Sequence, residues 1–363
     1  MSVLKGVRII ELAGLGPGPF CGMLLADLGA DVIVIERPGG GDLPAAITRR
    51  GKRSVALDLK SPQSIETVLQ LIEGADALIE GMRPGVMERL GLGPDVCHAR
   101  NPRLVYGRMT GWGQDGPLAQ AAGHDNNYIA LSGALWYAGE AGQPPVAPPT
   151  LVGDLGGGAL YLAVGILAAI LNARSSGQGQ VVDAAIVDGS AHLMNLMLDL
   201  VGGGLGHEQR GASLLDGPHW YSTYRCADGR DITVGALEPK FYRLLLEKLG
   251  LDNDERFALQ NKPGLWPQQK RQLAELFATR SREEWCALLE GSDACYAPVL
   301  APSEAARHPH MAARGVYNRD DGLLQANPAP RFSNAPAAAT RPIPAVGQHT
   351  EQVLAELAKG PVS

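Results

Sequence analysis

In the N-terminal part of the chain, apolar residues gather in short continuous runs, and the stretches between them carry a helical spacing. Val7-Arg8-Ile9-Ile10-Glu11-Leu12 and Asp31-Val32-Ile33-Val34-Ile35-Glu36 are β-rich. A Gly/Pro loop and a helical pattern through Leu24-Leu25-Ala26-Asp27-Leu28 join them into a βαβ unit. Further strands are predicted over 54–59, 77–80 and 104–108, alternating with helix-like segments. Strands in that alternation pair in parallel and are covered on both faces, so residues 1–200 read as a Rossmann-like α/β domain whose last element is a helical pattern over 184–200. The glycine-rich Gly202-Gly203-Gly204-Leu205-Gly206 follows, and residues 201–215 are expected to link two domains. Beyond it, Tyr221-Ser222-Thr223-Tyr224-Arg225 and Arg230-Asp231-Ile232-Thr233-Val234-Gly235 suggest a hairpin around Asp228-Gly229, with helices near 241–249 and 270–279. Residues 216–324 are therefore expected to form a smaller α+β domain. The Pro- and Ala-rich tail over 327–346 is expected to be extended.

A length of 363 residues suits two domains of about 150 residues each. With 45% hydrophobic and 19% charged residues there is ample material for two cores. A net charge of −6 argues against nucleic acid as a partner, because phosphate binding needs a basic face. Five cysteines show no CxxC pair and no metal-like spacing with histidine, which suits free thiols and no bound metal. The opening residues lack the apolar core of a secretory signal, and Pro361-Val362-Ser363 is not a peroxisomal address. The longest apolar stretch, near 159–171, is about 13 residues and short of the ~20 that span a bilayer. The expectation is a cytoplasmic protein with no membrane partner.

Candidate chemistry centres on Gly123-His124-Asp125-Asn126-Asn127-Tyr128 and, 30 positions after its histidine, on Asp154 in Gly153-Asp154-Leu155-Gly156-Gly157-Gly158. A histidine titrates near neutrality and burial pushes an aspartate toward it. Two such groups on opposite sides of one carbon can remove a proton from one face and return it to the other. Taken alone, either residue is equally a turn former or a helix cap. Asp125-Asn126-Asn127 opens a helical pattern just after His124, which would aim free N–H groups at a developing oxyanion. The glycines after Asp154 allow close approach before an apolar helix begins. Gly14, Gly16 and Gly18 with Glu36 mimic a dinucleotide fingerprint, but Pro19 stands where the third glycine belongs and Pro17 removes an N–H.

The strings Glu11-Leu12-Ala13-Gly14-Leu15-Gly16-Pro17-Gly18-Pro19, Asp27-Leu28-Gly29-Ala30-Asp31-Val32, Arg50-Gly51-Lys52-Arg53-Ser54, Gly123-His124-Asp125, Asp154 with its glycines, and Val234-Gly235-Ala236-Leu237-Glu238-Pro239 occur in that order along the chain. Together they resemble the α-methylacyl-CoA racemases of the family III CoA transferases. The resemblance implies an interlocked homodimer, with residues 325–363 returning to the large domain and Gly347-Gln348-His349-Thr350 leading into a C-terminal helix. It implies a 2-methylacyl-CoA substrate and no cofactor beyond the coenzyme A that the substrate carries. His124 would serve the S substrate, Asp154 the R substrate, and Glu238 would orient His124. Coenzyme A contacts fall on Arg37, Leu57, Asp58, Leu59, Lys60, Gly81, Met82, Arg83, Arg89, Gly123, Asp125 and Tyr128. The run Arg49-Arg50-Gly51-Lys52-Arg53 offers a further phosphate clamp, and Met194-Asn195-Leu196-Met197 is a candidate acyl surface. In transferases of the same family an aspartate in the Asp154 region is instead a nucleophile that forms an acyl anhydride, so a CoA transferase is the alternative.

Overall fold

A computed structural model describes residues 2–40, 47–334 and 341–359. Part of the expected extended tail, 335–340, and Pro361-Val362-Ser363 lie outside the described residues. The chain gathers into two compact units. One comprises Met1–Leu135, Ala147–Leu193 and Gly315–Ser363; the other comprises Trp136–Val146 and Met194–Arg314. These limits fall at 193/194 and 314/315, where the sequence pattern suggests 200/201 and 324/325, and they assign 136–146 to the second unit.

The first unit is built on six parallel strands: β1 (Arg8–Leu12), β2 (Asp31–Glu36), β3 (Arg53–Ala56), β4 (Ala77–Glu80), β5 (Val105–Thr110) and β6 (Gln180–Ala185), in the order β3-β2-β1-β4-β5-β6. Side chains alternate along each strand, so the two faces carry different cores. Ile9, Val32, Ala77 and Val105 join one cluster with residues of α1 (Pro17–Asp27). Ile10, Ile33, Leu78 and Tyr106 join the other with α2 (Pro62–Glu73) and with Val353 of the C-terminal helix Thr350–Ala358. The tail returns to this unit through His349, whose N–H reaches Ser54 O at 2.9 Å, and through Thr350, whose hydroxyl accepts Ala56 N–H at 2.9 Å.

Two expectations from the sequence need correcting. β3 stops at Ala56, because Ser61 N–H bonds back to Asp58 O and turns the chain. The stretch beginning at Ala184 is not helical throughout: Gln180–Ala185 is an edge strand registered on all six residues of β5. Its two alanines carry no β preference, and pairing decides the outcome.

After β5 come α3 (Asp125–Leu131), a π-helical segment (Leu151–Ala159), α4 (Leu160–Ser176) and, beyond β6, α5 (Ile186–Leu193). The π-helix is registered by Leu155 N–H bonding to Thr150 O, five residues back, at 3.0 Å. It continues directly into α4, so the helical run Leu151–Ser176 has 26 residues and is long and apolar enough to cross a membrane by length and composition, against the 13-residue expectation. One face of α4 is core, with Leu162, Ile166, Ala169 and Ala173 buried. The opposite stripe, with Leu160, Val164 and Leu171, is exposed.

Beneath the β1–α1 loop lies an ion pair between Glu11 and Lys52, 2.6 Å apart, with side chains only 2% and 1% exposed. Lys52 also donates to Pro19 O at 2.9 Å, which ties the start of α1 to β1.

The second unit carries three antiparallel strands, β7 (Tyr221–Arg225), β8 (Asp231–Gly235) and β9 (Tyr296–Pro298), with β8 in the centre. The β7–β8 hairpin turns at Gly229 in the left-handed region, φ 75°, as Asp-Gly predicts. Helices Pro239–Leu249 and Trp266–Phe277 pack with the strands over a core of Trp220, Tyr224, Phe277 and Trp285.

Candidate active site

Strand order reverses between β1 and β4, and a parallel sheet opens a crevice outside its carboxyl ends at such a point. A cavity of about 540 Å³ sits there. Its walls are the loops after β1 (residues 14–19), β4 (81–84) and β5 (111 and 112), the stretch 121–124 ahead of α3, and Asp154. Leu12, Ile79, Met109, Trp112 and Ile186 give it an apolar side.

His124 is the N-cap of α3. Its backbone is extended at φ −138° and ψ 174°, its N–H donates to Asn127 Oδ1 at 3.0 Å, and its carbonyl accepts Asn127 N–H at 2.8 Å. The cap is made by the Asn127 side chain and the His124 backbone, and the His124 side chain is exposed and lines the cavity.

Asp154 lies inside the π-helix, not ahead of the helix as its glycines suggest, because winding already starts at Leu151. Thr150 enters that segment at φ 61°, a left-handed conformation that a non-glycine residue adopts only when its surroundings impose it. Asp154 N–H donates to Asp125 Oδ1 at 2.8 Å. Burial, and next the Asp125 carboxylate, push the Asp154 carboxyl above the ordinary aspartate value of 3.8, while the His124 charge acts to lower it. A carboxyl raised above its ordinary value in one cavity with a histidine suits proton removal and return. Two glycines make the packing possible. A Cβ at Gly153 would fall 2.8 Å from Ile129 Cγ2 and collide with Asp125. One at Gly16, itself at φ 68°, would stand 3.3 Å from Asp154 Oδ2.

The coenzyme-contact candidates separate into groups. Gly81, Met82, Arg83, Gly123 and Tyr128 line the cavity with His124 and Asp154. Tyr128 donates its hydroxyl hydrogen to Gly123 O in a short hydrogen bond and meets Trp112 edge-on, 4.7 Å between ring centres. Leu59, Lys60 and Arg89 line a separate open depression of about 560 Å³ with Ile65 and Leu90. Arg37 is exposed after β2, and Leu57 and Asp58 follow β3. Asp125 is 7% exposed and does not line the cavity; its carboxylate holds the Asp154 amide.

The basic run is no phosphate clamp, because its charges are neutralised within the unit. Arg49 pairs with Glu36 at 2.7 Å, Arg50 with Asp27 at 2.6 Å, Lys52 with Glu11, and Arg53 with Asp31 at 2.6 Å. The same pairing occupies Glu36, the acid of the dinucleotide-like pattern. Glu238 caps the helix Pro239–Leu249 in the second unit, and Met194 and Met197 also belong to that unit, outside the cavity lining. Trp112 escapes sequence analysis altogether, since its flanking glycines announce only a turn.

Residues 4–350 match CoA-transferase family III. The chain belongs to CoA-transferase family III. Within that family it is 44% identical to a mouse protein named alpha-methylacyl-CoA racemase over 98% of this chain and 93% of the relative, and 42% identical to the human protein of the same name over 97% and 93%. The crystal structure of a CAIB/BAIF family protein from Brucella suis superimposes with a TM-score of 0.84 at 27% identity, covering 98% of this chain and 99% of that one.

Proposed function

We propose that this family III member interconverts (2R)- and (2S)-2-methylacyl-CoA thioesters by transferring the α-proton between His124 and Asp154 through an enolate. The observation that carries the reading is one cavity, at the reversal point of the sheet, walled by both proton carriers, with the Asp154 carboxyl held above its ordinary value. The relatives named racemase support the substrate class. The apolar side of the cavity suits a branched acyl chain, Arg83 and the exposed Arg37 suit phosphate groups, and the first N–H groups of α3 are the candidate donors to the enolate oxygen. Glu238 is assigned the orientation of His124, by resemblance. Two proton carriers complete the chemistry, so no cofactor beyond the substrate's coenzyme A enters it, and five free thiols support a cytoplasmic setting.

The test is incubation of each epimer of a 2-methylacyl-CoA in deuterated water. Both epimers should appear, with deuterium at the α-carbon and a rate indifferent to chelator or NAD. Acyl transfer to a free acid without α-exchange would select the CoA transferase with Asp154 as nucleophile instead.

We also propose a homodimer. Support comes from the exposed apolar stripe Leu160, Val164 and Leu171 on α4 and from the exposed edge residue Val181. In sedimentation, the parent should run as a dimer and Val164→Glu, Leu171→Glu as a monomer; an unchanged dimer would place the interface elsewhere.

A further inference from the structure

We infer that Arg108 is a positioning residue for this site: one guanidinium ties the loop that carries Arg83 to the loop that leads to His124. Arg108 is on β5 and 8% exposed. Its Nη1 donates to Gln114 Oε1 at 2.8 Å, and its Nη2 makes a short ion-paired hydrogen bond to Glu88 Oε1 on the helix Val86–Arg89. Its Nε stands 3.4 Å from Glu80 Oε1 at the end of β4, an ion pair that is not a hydrogen bond, since Nε has no hydrogen-bond acceptor.

The cavity-lining residues 81–84 lie between Glu80 and Glu88, so both ends of that segment are fixed to the same side chain. Glu80 adds a further hold by accepting Met82 N–H at 2.7 Å. Burial raises the Glu80 pKa to about 7 against the pull of the Met82 N–H and Arg108, with Glu88 and Asp183 acting in the direction of burial. On the other side, Gln114 opens the stretch that runs through Gly123 to His124, and its N–H donates to Asp183 Oδ2 on β6 at 3.3 Å. Arg108 also lies over the Tyr106 ring, 5.3 Å from its centre. A planar, multiply donating fork holds acceptors on two segments, Gln114 and Glu88, while it keeps its charge beside Glu80; a lysine ammonium at the end of a flexible stem does not.

The inference rests on the acyl-CoA assignment of the cavity, and the experiment separates the two. Steady-state epimerisation and calorimetric affinity for coenzyme A are measured on the full chain for Glu88→Ala, Gln114→Ala and Arg108→Lys. Glu88 is exposed and Gln114 half-buried, so these two variants should fold even where a change at Arg108 does not. Glu88→Ala frees one end of 81–84 and should raise KM and the coenzyme A dissociation constant about tenfold with kcat little changed. Gln114→Ala loosens the His124 side and should lower kcat about tenfold with KM little changed; Arg108→Lys should do both. Native constants in Glu88→Ala and Gln114→Ala, or the same uniform loss in both, would overturn the assignment of Arg108. A parent that binds coenzyme A without exchanging the α-proton overturns the racemase reading instead, while the two affinities still decide the role of Arg108.

Discussion

His124→Ala and Asp154→Ala should each lose interconversion of the epimers by about 10²–10⁴-fold, the usual contribution of a positioned proton carrier. Each should still exchange the α-hydrogen of one epimer through the base that remains. The measurement is α-deuterium incorporation into separately supplied (2R)- and (2S)-substrates, with His124→Ala expected to spare exchange in the R substrate and Asp154→Ala in the S. Glu238→Gln should be milder, since it deletes no proton carrier. Near-native interconversion in either alanine variant would remove the two-base mechanism. The pH profile adds a sign. Asp154 must be ionised to act as a base, and burial with Asp125 raises its pKa, so the acid limb for the R substrate should lie above the ordinary aspartate range. Asp125→Asn removes the like charge and should move that limb toward acid.

Lys52→Met should destabilise the first unit by about 3–5 kcal/mol, because it leaves the Glu11 carboxylate buried without its partner. Burial already pushes the Glu11 carboxyl above 4.5, with Lys52 opposing, and the substitution removes the opposition. The unfolded chain then releases the Glu11 proton at a lower pH than the folded one. The Glu11 contribution to the variant's stability, read as the difference from the parent, should therefore be most favourable below about 4.5 and decline as pH rises through the folded value. Glu11→Leu, Lys52→Met should recover most of the loss, since an apolar pair of similar volume is often neutral. Urea midpoints across pH decide the matter; a variant as stable as the parent at neutral pH would show that the pair is dispensable. Because Lys52 also holds Pro19 O, a decline in activity should accompany the loss even where the variant remains folded.

The sheet was largely legible because buried parallel strands leave continuous apolar runs: Val32-Ile33-Val34-Ile35 admits little else. β6 was not, since Gln180, Asp183 and two alanines give no such run, and its place depends on β5 lying alongside. The hairpin at Asp228-Gly229 was legible from its turn chemistry alone. At the site, the sequence pointed to His124 and Asp154 through their glycine neighbours, and the structure brings both to one cavity. What it could not carry was partnership over distance. Arg49–Arg53 looks like a phosphate clamp until Glu36, Asp27, Glu11 and Asp31 are found facing it, and Asp125 looks like a ligand contact until its carboxylate meets the Asp154 amide.

The π-helix that holds Asp154 makes the aim of this carboxylate a matter of chain length as well as of residue type. Each residue turns an α-helix by about 100°, and a π-helix closes its hydrogen bonds one residue later. Deleting a single residue between Thr150 and Asp154 would let the segment relax to ordinary α-winding in phase with α4, swinging position 154 about a quarter-turn around the axis. Every functional side chain would still be present in such a chain, and a comparison that counts matched residues would rate it intact. Register within this one segment thus separates a family member that keeps the Asp154 carboxylate in the cavity from one that keeps only the sequence around it.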